Sequence, residues 1–231
     1  MKKDGNLYIH IGLHKTGTTF LQQEVFPKLK NVNYISKYNR QGSLHLITTK
    51  FSKDKINLFS EEHLTRQNYL DDGQASMSEI AKRIHKLFPE AKIILTLRNK
   101  DDWLKSLYNQ YARTRGLKSF EEWYNDVFDK EDLNFEKFVK LLNDLFDDVL
   151  VLEYELLKKD SDLFVKKICN FMNVDVPKFN NIFVYKSPAL KDVEKIRKKG
   201  KTLIGLIRFF SSKEHGFIES IFIQFIKWIN R

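Results

Sequence analysis

Apolar and polar residues follow one another along the chain in blocks that predict short strands separated by helices. Four runs have strand character, because each is short, largely apolar and rich in β-branched or aromatic residues. These runs are residues 8–12, Ile56–Ser60, Lys92–Leu97 and residues 149–154. The run Lys92–Leu97 is almost continuously apolar, which is typical of a strand buried on both faces of a parallel sheet.

Five other segments have apolar residues at intervals of three and four, which predicts helices. They are residues 18–29, 77–88, 101–115, 135–146 and 163–172. Because predicted strands alternate with predicted helices, we expect a doubly wound α/β fold. Helices then flank a central parallel sheet as three layers, with right-handed crossovers.

Neither an internal repeat nor a low-complexity linker divides the chain, so we expect one domain over residues 1–231. Near the end, a basic run at 195–201 precedes apolar residues, and we expect 203–231 to form an apolar helical extension. This extension is too short and too polar to predict a membrane span. Two roles stay open for it: packing on the core or on a second copy in a homodimer, and peripheral contact with an anionic membrane.

Composition narrows the class of protein. The 42% hydrophobic and 30% charged fractions exclude disorder and a multispan membrane protein, and the net charge of +10 favours an anionic partner. Cys169 is the only cysteine, which excludes a disulfide framework and predicts a buried thiol. The first residues lack the apolar stretch of a secretion signal, so we expect a cytoplasmic protein.

A glycine-containing loop follows the first predicted strand, in the sequence HIGLHKTGTTF. Gly12 and Gly17 are separated by four residues, as in the triphosphatase loop G-x-x-x-x-G-K-[ST]. Thr18 occupies the position of the triphosphatase lysine, whereas Lys15 lies three residues earlier, and no strand-end aspartate offers a magnesium contact. We therefore expect an anion-binding loop without the magnesium-triphosphate residues, and no metal.

The segment HKTGTTF resembles the 5′-phosphosulfate-binding loop of sulfotransferases that use 3′-phosphoadenosine 5′-phosphosulfate (PAPS). The resemblance implies a P-loop-like fold and an enzyme with PAPS as donor. In that family the lysine contacts the phosphosulfate bridge, the next residues cradle the 5′-phosphate and the aromatic lies beside the adenine. These roles fall on Lys15, then on Thr16, Gly17, Thr18 and Thr19, and on Phe20.

A second phosphate site is predicted where the strongest strand ends. Arg98 closes that strand, and Ser106 follows eight residues later on the next predicted helix. Strand carboxyl ends form the ligand crevice of an open α/β sheet, and a guanidinium matches phosphate oxygens in a bidentate manner. In the sulfotransferase family this pair binds the 3′-phosphate of the donor.

Two weaker matches follow in the same order as in the family. Tyr154 resembles a strand-end tyrosine that lies near the adenine, although Leu156 replaces the usual aspartate. A late segment resembles the one that closes over the 3′-phosphate, with one additional lysine that shifts its register. Its residues are Arg197, Lys198, Lys199 and Gly200.

Three residues are candidates for the general base. The sequence Ser-Glu-Glu at 60–62 resembles the Ser-x-Glu of bacterial and glycan-directed relatives, which favours Glu62. His63 is an alternative, because small-molecule members use a histidine and its ordinary pKa of about 6.5 suits proton transfer; His14 is a third. We expect Glu61 to be a solvated neighbour or a helix cap.

The same resemblance implies a glycan or glycolipid as acceptor, with specificity in loops at 37–55 and 116–134. Two other functions compete with sulfotransfer. One is a P-loop kinase that uses ATP, which Thr18 opposes; the other is a basic protein that binds a membrane or nucleic acid. No recognised nucleic-acid module is present, so we expect no nucleic-acid partner.

Overall fold

Five parallel strands form one sheet in the computed structural model, which describes residues 6–36, 51–64, 76–114, 117–128 and 133–181. The strand order is β2-β3-β1-β4-β5. The strands are β1 (Leu7–His10), β2 (Val32–Ser36), β3 (Ile56–Ser60), β4 (Lys92–Leu97) and β5 (Val149–Glu153).

Strand β1 lies at the centre of the sheet and pairs with β3 on one side and β4 on the other. After β1, the strands β2 and β3 lie on one side of it, and the later strands β4 and β5 lie on the other side. In such a sheet, the strand ends at the point of reversal form the ligand crevice. His10, at the end of β1, lies opposite Ser60 on β3 and Ile94 on β4.

Helical segments connect the strands. The first begins as α1 (Thr18–Phe20) and continues through a π turn (Leu21–Val25) and a 3-10 turn (Phe26–Lys28). A second 3-10 turn, Glu62–Leu64, follows β3. The others are α2 (Met77–Leu87), α3 (Lys100–Thr114), α4 (Phe120–Val127), α5 (Phe135–Leu145), α6 (Tyr154–Lys159) and α7 (Ser161–Met172).

The hydrophobic core lies on both faces of the sheet. On one face, Tyr8, Leu58 and Ile94 pack against the first helical segment and α7 in a single apolar cluster. Their strand neighbours Ile9 and Phe59 point to the other face and are equally buried, since successive side chains alternate. The predicted three-layer α/β fold is therefore confirmed, as is the burial of Cys169, which belongs to the first cluster.

The predicted strands all occur, and β3 and β4 have the predicted bounds. Three elements were not predicted: β2, whose Asn33 is a poor strand former, and the helices α4 and α6. The prediction of a loop over 116–134 was wrong, because it contains α4. Its aromatic residues have modest helix propensity, and packing of the buried Trp123 and Val127 overrides that preference.

The chain separates into two compact units. Met1–Tyr108 and Phe120–Ser187 form the first, and Asn109–Ser119 belongs to the second. Among the described residues, all candidate site residues belong to the first unit. The apolar extension 203–231 lies outside the described residues, so the single domain and the extension stay predictions.

Candidate active site

The loop after β1 runs alongside β4 before it turns into the first helical segment. The backbone N–H groups of Ile11 and Leu13 donate to the carbonyl oxygens of Ile94 and Thr96, at 2.9 and 3.1 Å. These bonds prolong the parallel pairing beyond β1. They carry the loop to the carboxyl end of the sheet, where α/β folds bind their ligands.

Two residues give the loop its turn through left-handed backbone conformations. Lys15 has a φ of 64°, and Gly17, immediately before α1, has a φ of 85°. A Cβ on Gly17 would collide with Leu157 and lie 3.4 Å from Cε2 of Tyr154. Glycine is therefore required for both its backbone angle and the close approach of α6.

The loop threonines differ in how their hydroxyl groups are paired. The Thr16 hydroxyl donates to the carbonyl of Leu13 and closes the loop internally. Thr18 Oγ1 is buried without a hydrogen-bond partner, which costs about 1–3 kcal/mol. Thr19 is half-buried in the same helical turn, which has no side-chain cap for its backbone N–H groups. An anion bound here would satisfy these groups.

Arg98 joins the loop to the ends of β4 and β5. Its Nη1 donates a 3.2 Å hydrogen bond to the carbonyl oxygen of Lys15. The guanidinium carbon lies 4.9 Å from the ring centroid of Tyr154, which is stacking distance for a cation on an aromatic face. Its Nε is buried without a partner. The structure thus brings together three candidates that are far apart in sequence.

The helix after Arg98 supplies a second contact to the loop. Trp103, fully buried on α3, donates a 2.8 Å hydrogen bond from its indole nitrogen to the carbonyl oxygen of His14. Ser106, one turn further along α3, is 4% exposed. The motif at 95–106 had predicted Arg98 and Ser106 but not the role of the tryptophan between them.

Phe20 packs in the hydrophobic core. It is 8% exposed and makes an edge-to-face contact with Phe179, with ring centroids 5.7 Å apart. Its predicted place beside the adenine stays a prediction, as does that of Tyr154.

Two of the three candidate bases follow β3 directly. Glu62 begins the 3-10 turn and is half-buried, and His63 is its next residue, of whose side chain nothing is described. His14 is half-buried in the loop. Of the two alternatives for Glu61, solvation was wrong: it is 3% exposed, and its N–H donates to the carbonyl of His10. Pairing beyond the end of β3 draws this residue into the protein. The cap position agrees with the structure, since Glu61 directly precedes the 3-10 turn and its carbonyl oxygen accepts from the N–H of Leu64.

A buried polar network, which the sequence did not predict, lies under the loop. His10 Nδ1 is 2.8 Å from Ser60 Oγ, and His10 Nε2 is 3.4 Å from Thr96 Oγ1. Gln22 Nε2 donates to both the hydroxyl and the carbonyl oxygen of Ser60. Burial lowers the pKa of His10 from 6.5 to about 4, against an opposing effect of the Glu62 carboxylate. The one sequence feature that could have indicated this network is His10 itself, a histidine inside an otherwise apolar strand.

The segment predicted to close over the 3′-phosphate lies outside the described residues, so this role stays a prediction. Its residues are Arg197, Lys198, Lys199 and Gly200. Within the described ranges, no cluster of three or more His, Cys, Asp or Glu side chains is arranged to hold a metal ion. None of the helices in those ranges is long and apolar enough to cross a membrane.

Comparison with known proteins identifies the family. The sulfotransferase domain model matches residues 8–198. Among solved structures, a sulfotransferase from Alicyclobacillus acidocaldarius has a TM-score of 0.57 at 17% identity, over 81% of this chain and 87% of that one. The mouse sulfotransferase SULT7A1, complexed with PAP, has a TM-score of 0.51 at 18% identity, over 84% of this chain and 65% of that one.

No curated protein sequence matches the chain significantly. At the identities above, the two structures show a shared fold, which agrees with the parallel sheet and its helical layers. The match to the sulfotransferase domain shows the family as well as the fold, since it spans most of the 231 residues and includes both predicted phosphate motifs. The chain therefore belongs to the sulfotransferase family and is an enzyme that uses PAPS as its sulfuryl donor.

Proposed function

We propose that this sulfotransferase moves the sulfuryl group of PAPS to a hydroxyl group of a glycan or glycolipid. The main observation in support of this donor site is the position of Arg98, which contacts the Lys15 carbonyl and stacks on Tyr154. The acceptor class rests on the resemblance of the sequence at 60–62 to glycan-directed relatives. Acceptor specificity in the segments 37–55 and 116–134 stays a prediction. The second segment contains the helix α4, and residues 37–50, 116 and 129–132 lie outside the described residues.

The donor site is supported by polar atoms that lack partners in the protein. Thr18 Oγ1 and Arg98 Nε are both buried and unpaired, and phosphate oxygens would pair with each of them. We assign the 5′-phosphate to the loop and the 3′-phosphate to Arg98 and Ser106. The adenine would lie near Tyr154 and Phe20. The loop residues of this assignment are Lys15, Thr16, Gly17, Thr18 and Thr19.

When bound, PAPS supplies the sulfuryl group. Lys15 and the backbone N–H groups at the start of α1 would balance the negative charge that develops on the leaving phosphate oxygen. The lysine side chain and the backbone N–H groups can both stabilise this charge without a bound metal ion. We therefore propose a metal-independent in-line displacement.

Glu62 is our proposed general base, which would accept the proton of the acceptor hydroxyl. It follows two residues after Ser60, whose side chain and carbonyl are both hydrogen-bonded, and it lies close enough to His10 to affect its pKa. His63 and His14 are the alternatives. Glu62→Gln, His63→Asn and His14→Asn distinguish them, because only loss of the base removes the acidic limb of the pH–rate profile.

Calorimetric titration with adenosine 3′,5′-bisphosphate (PAP) and with ATP tests the donor assignment. We expect PAP to bind more tightly than ATP and without magnesium. Lys15→Ala and Arg98→Ala should each weaken PAP binding by about 10- to 100-fold, because each removes a charged hydrogen-bonding group. The matched controls Lys86→Ala and Arg83→Ala change exposed residues of α2 and should leave the affinity unchanged.

Unchanged PAP affinity in both site variants would contradict the proposed donor site. Magnesium-dependent ATP consumption without PAP binding would instead favour the kinase alternative, which the family match opposes.

We also propose a cytoplasmic enzyme whose segment 203–231 contacts either the membrane surface or a second copy. Sedimentation with anionic vesicles and the molar mass in solution, each measured before and after removal of 203–231, distinguish these two roles. Unchanged vesicle binding and unchanged mass would contradict both.

A further inference from the structure

His10 stands where the donor loop and the proposed base segment meet. Its ring is fully buried at the end of β1, between Ser60 at the end of β3 and Thr96 near the end of β4. Three adjacent strands are therefore joined by one side chain at their carboxyl ends. Burial of three polar side chains in the core is costly unless their hydrogen bonds are made.

The imidazole also packs beneath the donor loop, against Gly12. A Cβ on Gly12 would lie 2.8 Å from His10 Nε2 and 3.1 Å from Thr18 Oγ1. The ring is therefore packed directly against the loop backbone, next to the hydroxyl that we assign to the donor phosphate. Any displacement of the ring would shift Gly12 or Thr18, because buried groups are close-packed.

On its other side, the imidazole holds the segment that carries Glu62. Ser60 Oγ contacts His10 Nδ1 and also accepts from Gln22, whose side chain donates as well to the Ser60 carbonyl. The next residue, Glu61, donates its N–H to the His10 carbonyl at 3.2 Å. The chain that leads into Glu62 is thus held by both the side chain and the backbone of His10.

A neutral imidazole suits this position. Each ring nitrogen faces a hydroxyl group that can either donate or accept, so both neutral tautomers satisfy the two contacts. Gln22 lies within the π turn, an irregularity that is frequent near functional sites. Through Gln22, the first helical segment, which begins at the donor loop, is hydrogen-bonded to Ser60 and so joins the polar network of His10.

We propose that His10 is a positioning residue, which fixes the distance between the donor loop and Glu62 through Gly12 on one side and Ser60 on the other. It does not itself touch donor or acceptor. This inference rests on the proposed function, since it gives His10 a role only if Glu62 is the base. A misplacement of about 1 Å between reacting groups can cost about 100-fold in rate.

The test is a double-mutant cycle of His10 and Glu62, with turnover measured as PAP release from PAPS in water, which needs no identified acceptor. If His10 acts through Glu62, His10→Leu should lower kcat about 100-fold in the wild-type chain but only about 2-fold in the Glu62→Gln background. PAP affinity should fall much less than kcat, because the donor loop keeps its other contacts with β4, Arg98 and Trp103. Equal losses in the two backgrounds would overturn the proposal.

Two further variants keep the test decisive if His10→Leu does not fold. His10→Asn can still reach Ser60 and should recover most of the lost kcat. Ser60→Ala removes the same contact from the other partner and should reproduce the loss. Thr96→Val, which breaks only the longer 3.4 Å contact, serves as a matched control with a smaller effect. Full activity in Ser60→Ala together with low activity in His10→Asn would also overturn it.

The proposed function and this inference fail in different ways. Absence of PAP binding to the wild-type chain would remove the proposed function. Normal PAP binding and turnover, with kcat unaffected by Ser60→Ala, would remove only the role of His10.

Discussion

The indole nitrogen of Trp103 donates a 2.8 Å hydrogen bond to the carbonyl oxygen of His14, and so ties α3 to the residue before the loop lysine. Arg98 does the same for the carbonyl of Lys15. Two successive carbonyls of the loop are thus held by side chains from one neighbouring segment. This arrangement fixes the backbone on both sides of Lys15 although its φ of 64° is unfavourable for a lysine.

Trp103→Phe should weaken PAP binding with little loss of stability. The phenyl ring preserves much of the packing with Phe128 and Phe135, but the hydrogen bond to His14 is lost. We expect about a 3- to 10-fold lower affinity by calorimetry, corresponding to about 1 kcal/mol. Trp123→Phe, in the same aromatic cluster, is the control and should bind PAP normally. Equal affinities in the two variants would contradict this role of the indole.

Gly17→Ala should impair both folding and donor binding. The substitution places a Cβ at a φ of 85° and against Leu157, for an expected loss of about 2 kcal/mol or more in the free energy of unfolding. Asn31→Ala is the matched control, since Asn31 has a φ of 58° immediately before β2. It should lose stability by urea unfolding while PAP affinity stays normal. An unchanged free energy of unfolding in Gly17→Ala would contradict the close-approach requirement, and normal PAP affinity would contradict the role of Gly17 in donor binding.

Stability should fall as the pH drops from about 6.5 to about 4, in part because of His10. Its pKa is lowered from 6.5 to about 4 in the folded protein, so the unfolded chain binds more protons in this window. Above pH 6.5 His10 is neutral in both states and contributes no pH dependence. The contribution reaches about 3 kcal/mol at pH 4.

Urea unfolding of the wild-type protein and His10→Asn at several pH values isolates this contribution from that of the carboxylates. The difference in unfolding free energy between the two proteins should shrink as the pH falls through the window. A difference that is constant with pH would show that His10 titrates normally.

Cys169 should resist alkylation in the folded protein. The thiol is fully buried on α7, and burial, with a smaller effect of Asp175, raises its pKa to about 11. Because the thiolate is the reactive form, iodoacetamide should label the thiol only through opening of α7, and labelling should accelerate in urea. Lys166→Cys in a Cys169→Ala background is the exposed control and should react rapidly. Rapid labelling of native wild-type protein would contradict the buried position.

The order of most elements and the two predicted phosphate motifs could be read from the sequence itself. Periodicity within a strand or helix and the spacing of a loop are local properties, so they can be read from contiguous residues. This is why β3 and β4 were predicted with their bounds, and why Lys15 and Arg98 could be singled out. The edge strand β2 was missed, since its stability comes from pairing with β3 rather than from its own residues.

Only the tertiary structure decided which distant residues meet. The contacts of His10 with Ser60 and Thr96 depend on β1 lying between β3 and β4, and no local pattern encodes that order. The same holds for the hydrogen bond from Trp103 to His14 and for the burial of Glu61. A hydrogen bond is defined within a few tenths of an ångström, whereas sequence spacing constrains only the class of element that carries each partner.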